Sequence, residues 1–359
     1  MSHGYIPVQW NRNKVVYDLL TWAGIISYLA VFIAVSTISF DPAQALSPMI
    51  VMIRALATCA FSLLTLILCI GPLARLSNRF LPLLYNRRHL GVSMFVVALA
   101  HGILATIWYH GFGPENPLAS IFGSPGSFTS IADFPYQPFG AVALLILLLM
   151  AATSHDFWNT NLGAGVWKAL HMSVYAAYGL LVIHIATGAL QNPNTGFSVA
   201  LVMGSVVLVS GLHLVAAWRS RLTSPDAGAD GWLNVGRWQD IADNCGTVVA
   251  LAGDERVAVF RYEQNKLAAV ANVCKHQAGP LGEGRVIDGC ITCPWHGFQY
   301  RPEDGRAPAP FTEQLATYEL RLEGDDILLN PAALPEGTAR PVTLIPDLIA
   351  TTAPDPAGG

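Results

Sequence analysis

Long apolar stretches dominate the first two thirds of the chain. Windows without Asp, Glu, Lys or Arg cover residues 19–40, 55–74, 89–114, 134–155 and 169–218. A helix needs about 20 residues to cross a hydrocarbon core of ~30 Å, so each of the shorter windows allows one crossing and the longest allows two. We therefore predict a membrane bundle of six helices and no cleaved signal peptide, with helices near 18–39, 48–72, 88–110, 137–154, 167–190 and 197–218.

The pattern changes after residue 222. Residues 223–231 form a short polar linker. Beyond it, short runs with β-forming residues alternate with Gly, Asp and Asn turns, at 232–238, 246–252, 256–262, 266–271, 291–300 and 319–330. Such runs are typical of a small all-β domain, which we place at 232–330. Residues 331–359 are rich in Pro, Ala and Thr, and we expect them to form a loosely ordered tail.

Composition and charge support this division. The chain is 53% hydrophobic and 12% charged, whereas a soluble protein has about a quarter charged residues. This composition excludes a disordered chain, a nucleic-acid binder and an ordinary cytosolic enzyme. Residues 1–222 carry ten Lys and Arg against five Asp and Glu, and residues 223–359 carry ten against nineteen. We expect the basic part to lie in a lipid bilayer and the acidic part to lie in water.

The basic loops orient the bundle. All of them fall on one side of the six predicted helices, and cytoplasmic loops are the ones enriched in Lys and Arg. We therefore expect a multi-pass protein with both termini in the cytoplasm. The loop and flanking residues that carry this signal are Arg12, Lys14, Arg75, Arg79, Arg87, Arg88, Lys168, Arg219 and Arg221.

One arginine breaks the pattern. Arg54 lies about two turns inside the outward end of the second predicted helix. A charge costs at least ~2.5–3.5 kcal/mol near the bilayer centre and less near the interface. The Arg54 side chain either reaches the outer headgroups or neutralises the carboxylate of a bound cofactor.

Histidines inside the predicted helices suggest haem. His101 lies 13 residues past Arg88 and His184 lies 16 residues past Lys168, so both are about 20–24 Å from the inner face. Two imidazoles at one depth on different helices are what bis-histidine haem iron requires. His171 precedes His184 by 13 residues and falls in the inner leaflet. His89 and His213 both approach its level, and spacing does not decide between them.

The sequence around these histidines resembles a known family. Residues 87–91 (RRHLG) lead to His101, and residues 167–171 (WKALH) lead to His184. Over residues 10–220 the pattern resembles the ferric-reductase-like transmembrane domain, including haem-binding membrane subunits of bacterial methionine-sulfoxide reductase systems. The resemblance implies a bacterial inner-membrane protein in which His101, His171 and His184 bind haem b. NADPH oxidases of this superfamily have two histidines on the third helix as well as two on the fifth. The third predicted helix of this chain has no second histidine at the spacing found in those oxidases. We therefore expect either one or two haems.

The all-β part contains a pair of cysteine–histidine motifs. Cys274 and His276 form a C-x-H motif, and after sixteen residues Cys293 and His296 form a C-x-x-H motif. Two cysteines and two histidines suit zinc. However, a zinc finger groups its cysteines in one half, whereas each half here offers one thiolate and one imidazole. This arrangement favours a Rieske 2Fe-2S cluster, with both cysteines on one iron and both histidines on the other.

Neighbouring residues strengthen this interpretation. The stretch 277–281 (QAGPL) and Gly297 resemble Rieske ferredoxins and the ferredoxin-like domains of ring-hydroxylating oxygenases. Compared with the Rieske proteins of cytochrome bc complexes, Gly279 and Trp295 replace the disulfide cysteines, Phe298 replaces a serine donor, and Tyr300 is retained. With fewer donors to the cluster, we expect a potential in the lower part of the Rieske range of about −150 to +300 mV.

Several enzyme classes are excluded by missing motifs. No histidine follows His296 in the sequence, so the mononuclear iron site of an oxygenase is incomplete. The sequence has no G-x-G-x-x-G and no H-E-x-x-H motif.

These features predict a membrane electron conduit. In this hypothesis a cytoplasmic ferredoxin or flavoprotein reduces the Rieske cluster, and haem b passes electrons to a quinone, ferric iron or a periplasmic acceptor. The alternatives are quinol oxidation that feeds the cluster, and a non-catalytic redox sensor. The sequence leaves open whether the protein is an enzyme.

Overall fold

The computed structural model describes most of the chain in two compact units, Met1–Ala217 and Trp218–Gly359. The described residues are 12–38, 47–80, 83, 86–123, 134–154, 158, 161–162, 164–189, 196–219, 231–251, 255–276, 278–295 and 297–345.

The first unit is helical. Its described helices are α1 (Arg12–Ile38), α2 (Pro48–Leu76), α3 (Arg87–His110), α4 (Pro117–Phe122), α5 (Gln137–Ala152), α6 (Ala164–Met172), α7 (Val174–Ala189) and α8 (Gly196–Arg219). Five described helical stretches are long and apolar enough to cross a membrane: Val15–Ile38, Pro48–Leu76, Arg87–His110, Gly165–Gly188 and Gly196–Trp218. Helix α5 is apolar but shorter. A helical unit with several membrane-capable helices is therefore confirmed.

The prediction of exactly six helices is wrong in two places. The outer connection contains the additional short helix α4, which starts because the Asn116 side chain accepts the N–H groups of Leu118 and Ala119. The predicted helix 167–190 is divided at Ser173. There the Ser173 N–H and hydroxyl both donate to the Leu170 carbonyl, at 3.1 and 2.5 Å, which tightens the turn between α6 and α7.

Helix α2 forms the centre of the helical unit. It packs against α1 and α3, α3 packs against α5, and α5 packs against α7. A buried cluster joins the first three of these helices through Ile25, Leu56, Cys59, Ala60 and Val97. In contrast, large apolar side chains such as Leu20, Val31, Leu145 and Val207 point outward from their helices. An apolar exterior around a packed interior is what a lipid environment requires.

The second unit is an antiparallel β structure. Its strands are β1 (Leu233–Arg237), β2 (Cys245–Ala250), β3 (Arg256–Tyr262), β4 (Lys266–Ala271), β5 (Arg285–Ile287), β6 (Cys290–Thr292), β7 (Gln299–Tyr300), β8 (Thr317–Tyr318), β9 (Leu320–Glu323), β10 (Asp326–Leu329) and β11 (Thr343–Leu344). One sheet has the order β1-β10-β9, and the larger sheet has the order β11-β4-β3-β2-β5-β6-β7, with β8 paired to β4. The predicted small all-β domain is confirmed.

Strands β5, β6 and β7 form a small extension of the larger sheet. It joins the rest through the pairing of Cys245 with Arg285. The β5–β6 turn uses Asp288 and Gly289, both with positive φ (50° and 75°), as tight hairpin turns require. This turn sets the register of β6, which ends one residue before Cys293. The extension therefore fixes the position of the second cysteine–histidine motif.

The expected loosely ordered tail is wrong for residues 331–345. Strand β11 pairs with β4, and Arg340 is buried, with its guanidinium donating to the carbonyls of Pro302 and Pro341. Ile345 is fully buried, and its N–H donates to Asn265. Pro-rich and Ala-rich composition indicated disorder, but a few apolar and hydrogen-bonded anchors hold this segment on the sheet. Residues 346–359 lie outside the described residues.

We predict that Ile345→Ala destabilises the β unit by about 2–5 kcal/mol, because it leaves a cavity where a fully buried side chain stood. Leu344→Ala is the matched control, since Leu344 immediately precedes Ile345 and is 44% exposed. The urea concentration at which the β unit of the full chain loses resistance to a protease pulse measures the effect. Equal midpoints for the two variants would show that this segment does not pack on the sheet.

Candidate metal and cofactor sites

The first cysteine–histidine motif lies in the loop between β4 and β5. The N–H of Cys274 donates to the carbonyl of Gly279 at 2.9 Å, and the N–H of Ala278 donates back to the carbonyl of Cys274 at 2.7 Å. Ala278 has φ of 54°, which closes the loop in the left-handed region. The result is a tight turn that holds the thiol of Cys274 inward, where it is fully buried.

The second motif, between β6 and β7, repeats this backbone pattern. The N–H of Cys293 donates to Phe298 at 2.8 Å, and the N–H of Gly297 donates to Cys293 at 3.0 Å. Gly297 has φ of 71°, at the same distance from its cysteine as Ala278 from Cys274. The two loops are therefore equivalent in backbone geometry. His296 lies outside the described residues.

The two loops meet at their cysteines. Cys274 and Cys293 belong to one buried core cluster. A Cβ atom on Gly279 would lie 2.7 Å from Cys293 Sγ and 3.2 Å from the Trp295 ring, so only glycine permits this close approach. His276 stacks on Phe298 with ring centroids 5.0 Å apart and an interplanar angle of 8°. Among the described residues, no group of three or more metal-binding side chains converges on one point.

Tyr300 adds a donor beside the cysteine. Its hydroxyl accepts the N–H of Lys275 at 3.0 Å and lies 3.4 Å from Cys274 Sγ. Because the oxygen already accepts one hydrogen bond, its own proton can point to the sulfur. Burial raises the pKa of Tyr300, so the hydroxyl keeps that proton at neutral pH. The site thus contains two buried thiols, one imidazole and a hydroxyl that can donate to a sulfur atom. These are the kinds of side chain that hold and surround an iron–sulfur cluster.

The outer pair of membrane histidines is oriented by backbone carbonyls. His101 Nδ1 lies 3.0 Å from Ile53 O, and His184 Nδ1 lies 2.8 Å from Tyr136 O. A carbonyl only accepts, so each Nδ1 carries the proton and each Nε2 carries the lone pair. This is the tautomer that metal-bound histidines adopt. The two imidazoles are also close enough to interact electrostatically.

Gly140 determines how close His184 lies to α5. A Cβ atom at residue 140 would lie 2.8 Å from both Cε1 and Nδ1 of His184. The imidazole therefore rests directly on the α5 backbone, held there by its bond to Tyr136. Arg54 follows Ile53 on α2 and lies within electrostatic reach of the Tyr136 side chain. The structure thus brings His101, His184 and Arg54 to one level of the bundle.

His171 lies on α6, apart from this pair. Its Nδ1 lies 3.0 Å from Trp167 O, and its ring stacks on the Trp167 indole at 3.7 Å. The indole donates in turn to Thr153 O at 2.9 Å. His171 Nε2 is buried and has no hydrogen-bond partner among the described residues. A buried polar atom without a hydrogen-bond partner is uncommon in native proteins.

The two histidines that sequence spacing could not separate have different surroundings. His213 uses both ring nitrogens, Nδ1 near Val209 O at 2.8 Å and Nε2 near the Tyr175 hydroxyl at 3.0 Å. His89 Nδ1 instead lies 3.0 Å from both carboxylate oxygens of Asp18.

Sequence reasoning missed Asp18, Gly140 and Tyr136. Asp18 had a usable signal, because it is the only acidic residue in the described α-helices. The roles of Gly140 and of the Tyr136 carbonyl depend on how α5 and α7 pack together, and a sequence pattern does not report that.

Family models match both units. A model described as ferric reductase like transmembrane component matches residues 56–182, and one described as Rieske [2Fe-2S] domain matches residues 231–319. The chain is 29% identical over 223 residues to the heme-binding subunit of the protein-methionine-sulfoxide reductase of Azospira oryzae, covering 61% of this chain and 88% of that protein.

Rieske proteins match the second unit. The anthranilate 1,2-dioxygenase ferredoxin subunit of Burkholderia cepacia is 37% identical over 82 residues, which is 22% of this chain and 74% of that protein. The oxygenase component of a probable 3-ketosteroid-9-alpha-monooxygenase from Rhodococcus rhodochrous is 32% identical, but only 23% of its length is matched. Among solved structures, the Sphingomonas yanoikuyae B1 ferredoxin covers 28% of this chain and 99% of its own, with 22% identity and a TM-score of 0.26.

These matches agree with the geometry of the two units. The Rieske model spans both cysteine–histidine loops, and the ferric-reductase-like model spans His101 and His171. The chain therefore contains a region that matches the ferric-reductase-like transmembrane component, followed by a Rieske [2Fe-2S] domain, and together these matches support a role in membrane electron transfer.

Proposed function

We propose that the protein transfers electrons from a cytoplasmic donor, through the Rieske domain, to haem b inside the membrane and on to an outer acceptor. The observation that carries the proposal is the matched pair His101 and His184, each with Nδ1 bonded to a backbone carbonyl and Nε2 prepared to bind metal. When bound, the cluster and the haem each exchange one electron at a time.

The Rieske ligands in this proposal are Cys274 and Cys293 on one iron and His276 and His296 on the other. Zinc is disfavoured because the two loops share one backbone pattern and each contributes one cysteine and one histidine. The domain match supports a 2Fe-2S cluster. His276 stacks on Phe298, which packs against the 52% exposed Phe311. This contact places the histidine side of the loops near the surface of the domain, where a soluble ferredoxin or flavoprotein could exchange electrons.

The outer haem ligands in this proposal are His101 and His184. Their helices α3 and α7 are both in contact with α5, and Gly140 of α5 leaves the room that the His184 ring occupies. Arg54 at the same level would neutralise a haem carboxylate, which supports the cofactor role over a simple contact with headgroups. His171 is proposed as a ligand of a second haem.

The orientation in this proposal places both termini in the cytoplasm. We assign residues 1–222 to the membrane domain, 223–231 to the linker and the residues from 232 onward to the Rieske domain, whose packing continues to Ile345. The acceptor on the outer side is a quinone, ferric iron or a periplasmic protein, and the protein is a bacterial inner-membrane protein.

Vesicles that display the cytoplasmic face test the function directly. A reduced ferredoxin is supplied outside, and a ferric chelate is trapped in the lumen. We expect luminal ferrous iron to accumulate with the native protein and to stop in His276→Ala and in His101→Ala. A variant that lost its cluster or its haem absorbance yet kept the native rate would show that the two sites do not act in series. Normal cluster and haem spectra without any reduction of luminal iron would favour the alternative function, a non-catalytic redox sensor.

We predict that Tyr300→Phe lowers the reduction potential of the cluster while leaving its content unchanged. The variant loses a hydrogen bond to the sulfur of Cys274, worth about 1 kcal/mol, which for one electron is roughly 40 mV. Tyr318→Phe is the control, because that hydroxyl is buried in the same domain and bonds to Glu255 instead. Redox titration followed by electron paramagnetic resonance (EPR) measures both. Equal shifts of the reduction potential in the two variants would show that the Tyr300 hydroxyl does not donate a hydrogen bond to the cluster.

We predict that Gly140→Ala weakens haem binding at the outer level. The added methyl would overlap the His184 ring, and overpacking costs about 1–3 kcal/mol, which is roughly 5- to 150-fold in affinity. Gly179→Ala is the matched control on α7, because a Cβ there meets nothing within 4 Å. Haem content per purified protein is the measurement. Full occupancy in Gly140→Ala would contradict the placement of haem against His184.

A further inference from the structure

The second unit contains a segment, residues 334–340, that begins after the end of the region matched by the Rieske model. Its main chain is hydrogen-bonded to the rest of the unit. The N–H of Leu334 donates to Thr317 O at 2.9 Å, and the N–H of Gly337 donates to Leu315 O at 3.0 Å. Segment 334–340 is therefore a fixed part of the domain, although the family match ends before it.

Segment 334–340 reaches the first cysteine–histidine loop through Glu336. The Glu336 carboxylate accepts a hydrogen bond from the Lys275 ammonium group, and the two side chains are 52% and 45% exposed. Lys275 stands between Cys274 and His276 in the sequence. Its own N–H donates to the Tyr300 hydroxyl at 3.0 Å. Lys275 is therefore held at its main chain by Tyr300 and at its side chain by Glu336.

The same segment also supports the loop between β7 and β8. The Gly337 carbonyl accepts a hydrogen bond from Arg306 Nε at 2.8 Å. This loop carries Phe311, whose ring packs against Phe298 with centroids 5.0 Å apart, and Phe298 stacks on His276. Segment 334–340 therefore contacts both the loop that contains His276 and the loop that packs behind its ring.

The ion pair of Lys275 and Glu336 places two opposite charges beside the site of reduction. Adding an electron makes an iron–sulfur cluster more negative, so a nearby cation stabilises the reduced state and a nearby carboxylate destabilises it. While the pair is intact, the carboxylate offsets the charge of the ammonium group. Exposed ion pairs contribute little to folding stability, so the main effect of this pair falls on the cluster.

We propose that Glu336 is a positioning residue of the cluster site, which holds Lys275 and offsets its charge, so that the reduction potential stays lower than Lys275 alone would set it; this rests on the cluster ligands in the proposed function. Loss of the Glu336 carboxylate raises the potential, because the ammonium group is then no longer offset. Loss of the Lys275 ammonium group lowers it. Loss of both returns the potential close to the native value, because the two opposite charges are removed together.

The test compares Glu336→Gln, Lys275→Gln and the double variant in the full-length protein. Redox titration followed by EPR gives the potential, and the size of the EPR signal gives the cluster content. The control is Glu263→Gln, because Glu263 is also 52% exposed and forms an ion pair with Lys266 at 2.5 Å. That pair lies at the start of β4, whereas the first cysteine–histidine loop follows the end of β4, about 20 Å away. Charges more than about 10 Å apart are largely screened.

We expect the potential to shift upward in Glu336→Gln and downward in Lys275→Gln, and to match the native value in the double variant and in Glu263→Gln. An unshifted potential in Glu336→Gln, or shifts of one sign in both single variants, would overturn the proposal, because a general disturbance of the loop does not follow the sign of the charge removed. If Lys275→Gln loses its cluster, Lys275→Arg takes its place. That variant is expected to keep the native potential alone and to show the raised potential with Glu336→Gln, and indifference to Glu336→Gln would equally overturn the proposal.

The EPR spectrum of the native protein separates the role of Glu336 from the proposed function. Absence of a Rieske signal would contradict the cluster ligands themselves and, with them, the role of Glu336. A native Rieske signal whose potential does not respond to Glu336→Gln would contradict only the role of Glu336.

Discussion

An imidazole inside an apolar helix bundle must place its N–H group on an acceptor, because no water is present to solvate it. In this protein the acceptors of His101 and His184 are carbonyls on other segments, Ile53 and Tyr136. Each bond fixes a tautomer and ties two segments together. The same bonds therefore fix the relative position of the segments and the direction of the Nε2 lone pairs. A change in the packing of these segments would also change the orientation of the two imidazoles.

The Rieske domain meets an equivalent requirement with backbone loops. Cys274 and Cys293 each accept and donate a main-chain hydrogen bond within a six-residue loop, and a residue with positive φ closes each loop. The loops then approach so closely that Gly279 has no room for a Cβ beside Cys293 Sγ. Rigidity comes from these local bonds, and the sheet extension supplies only the position of the second loop.

The sequence was sufficient for what depends on residue type and spacing. Apolar windows identified the membrane-capable helices, the β-forming runs identified the second domain, and the C-x-H and C-x-x-H motifs identified the Rieske family. Features that depend on three-dimensional contact were missed. The break at Ser173 follows from hydrogen bonds to Leu170, and the order of residues 331–345 follows from the burial of Ile345 and Arg340, which a Pro-rich composition conceals. The partners of His89 and His213 likewise required the packing of α1 and α7.

The few charges in the membrane domain gain a common explanation from this arrangement. Adding an electron to a poorly solvated site is costly unless a cation lies near it. Arg54 lies at the level of His101 and His184, and Arg87 and Arg88 act on His171. Cations thus accompany each histidine level, while Asp18, the sole acidic residue in the described α-helices, contacts a histidine at the inner end.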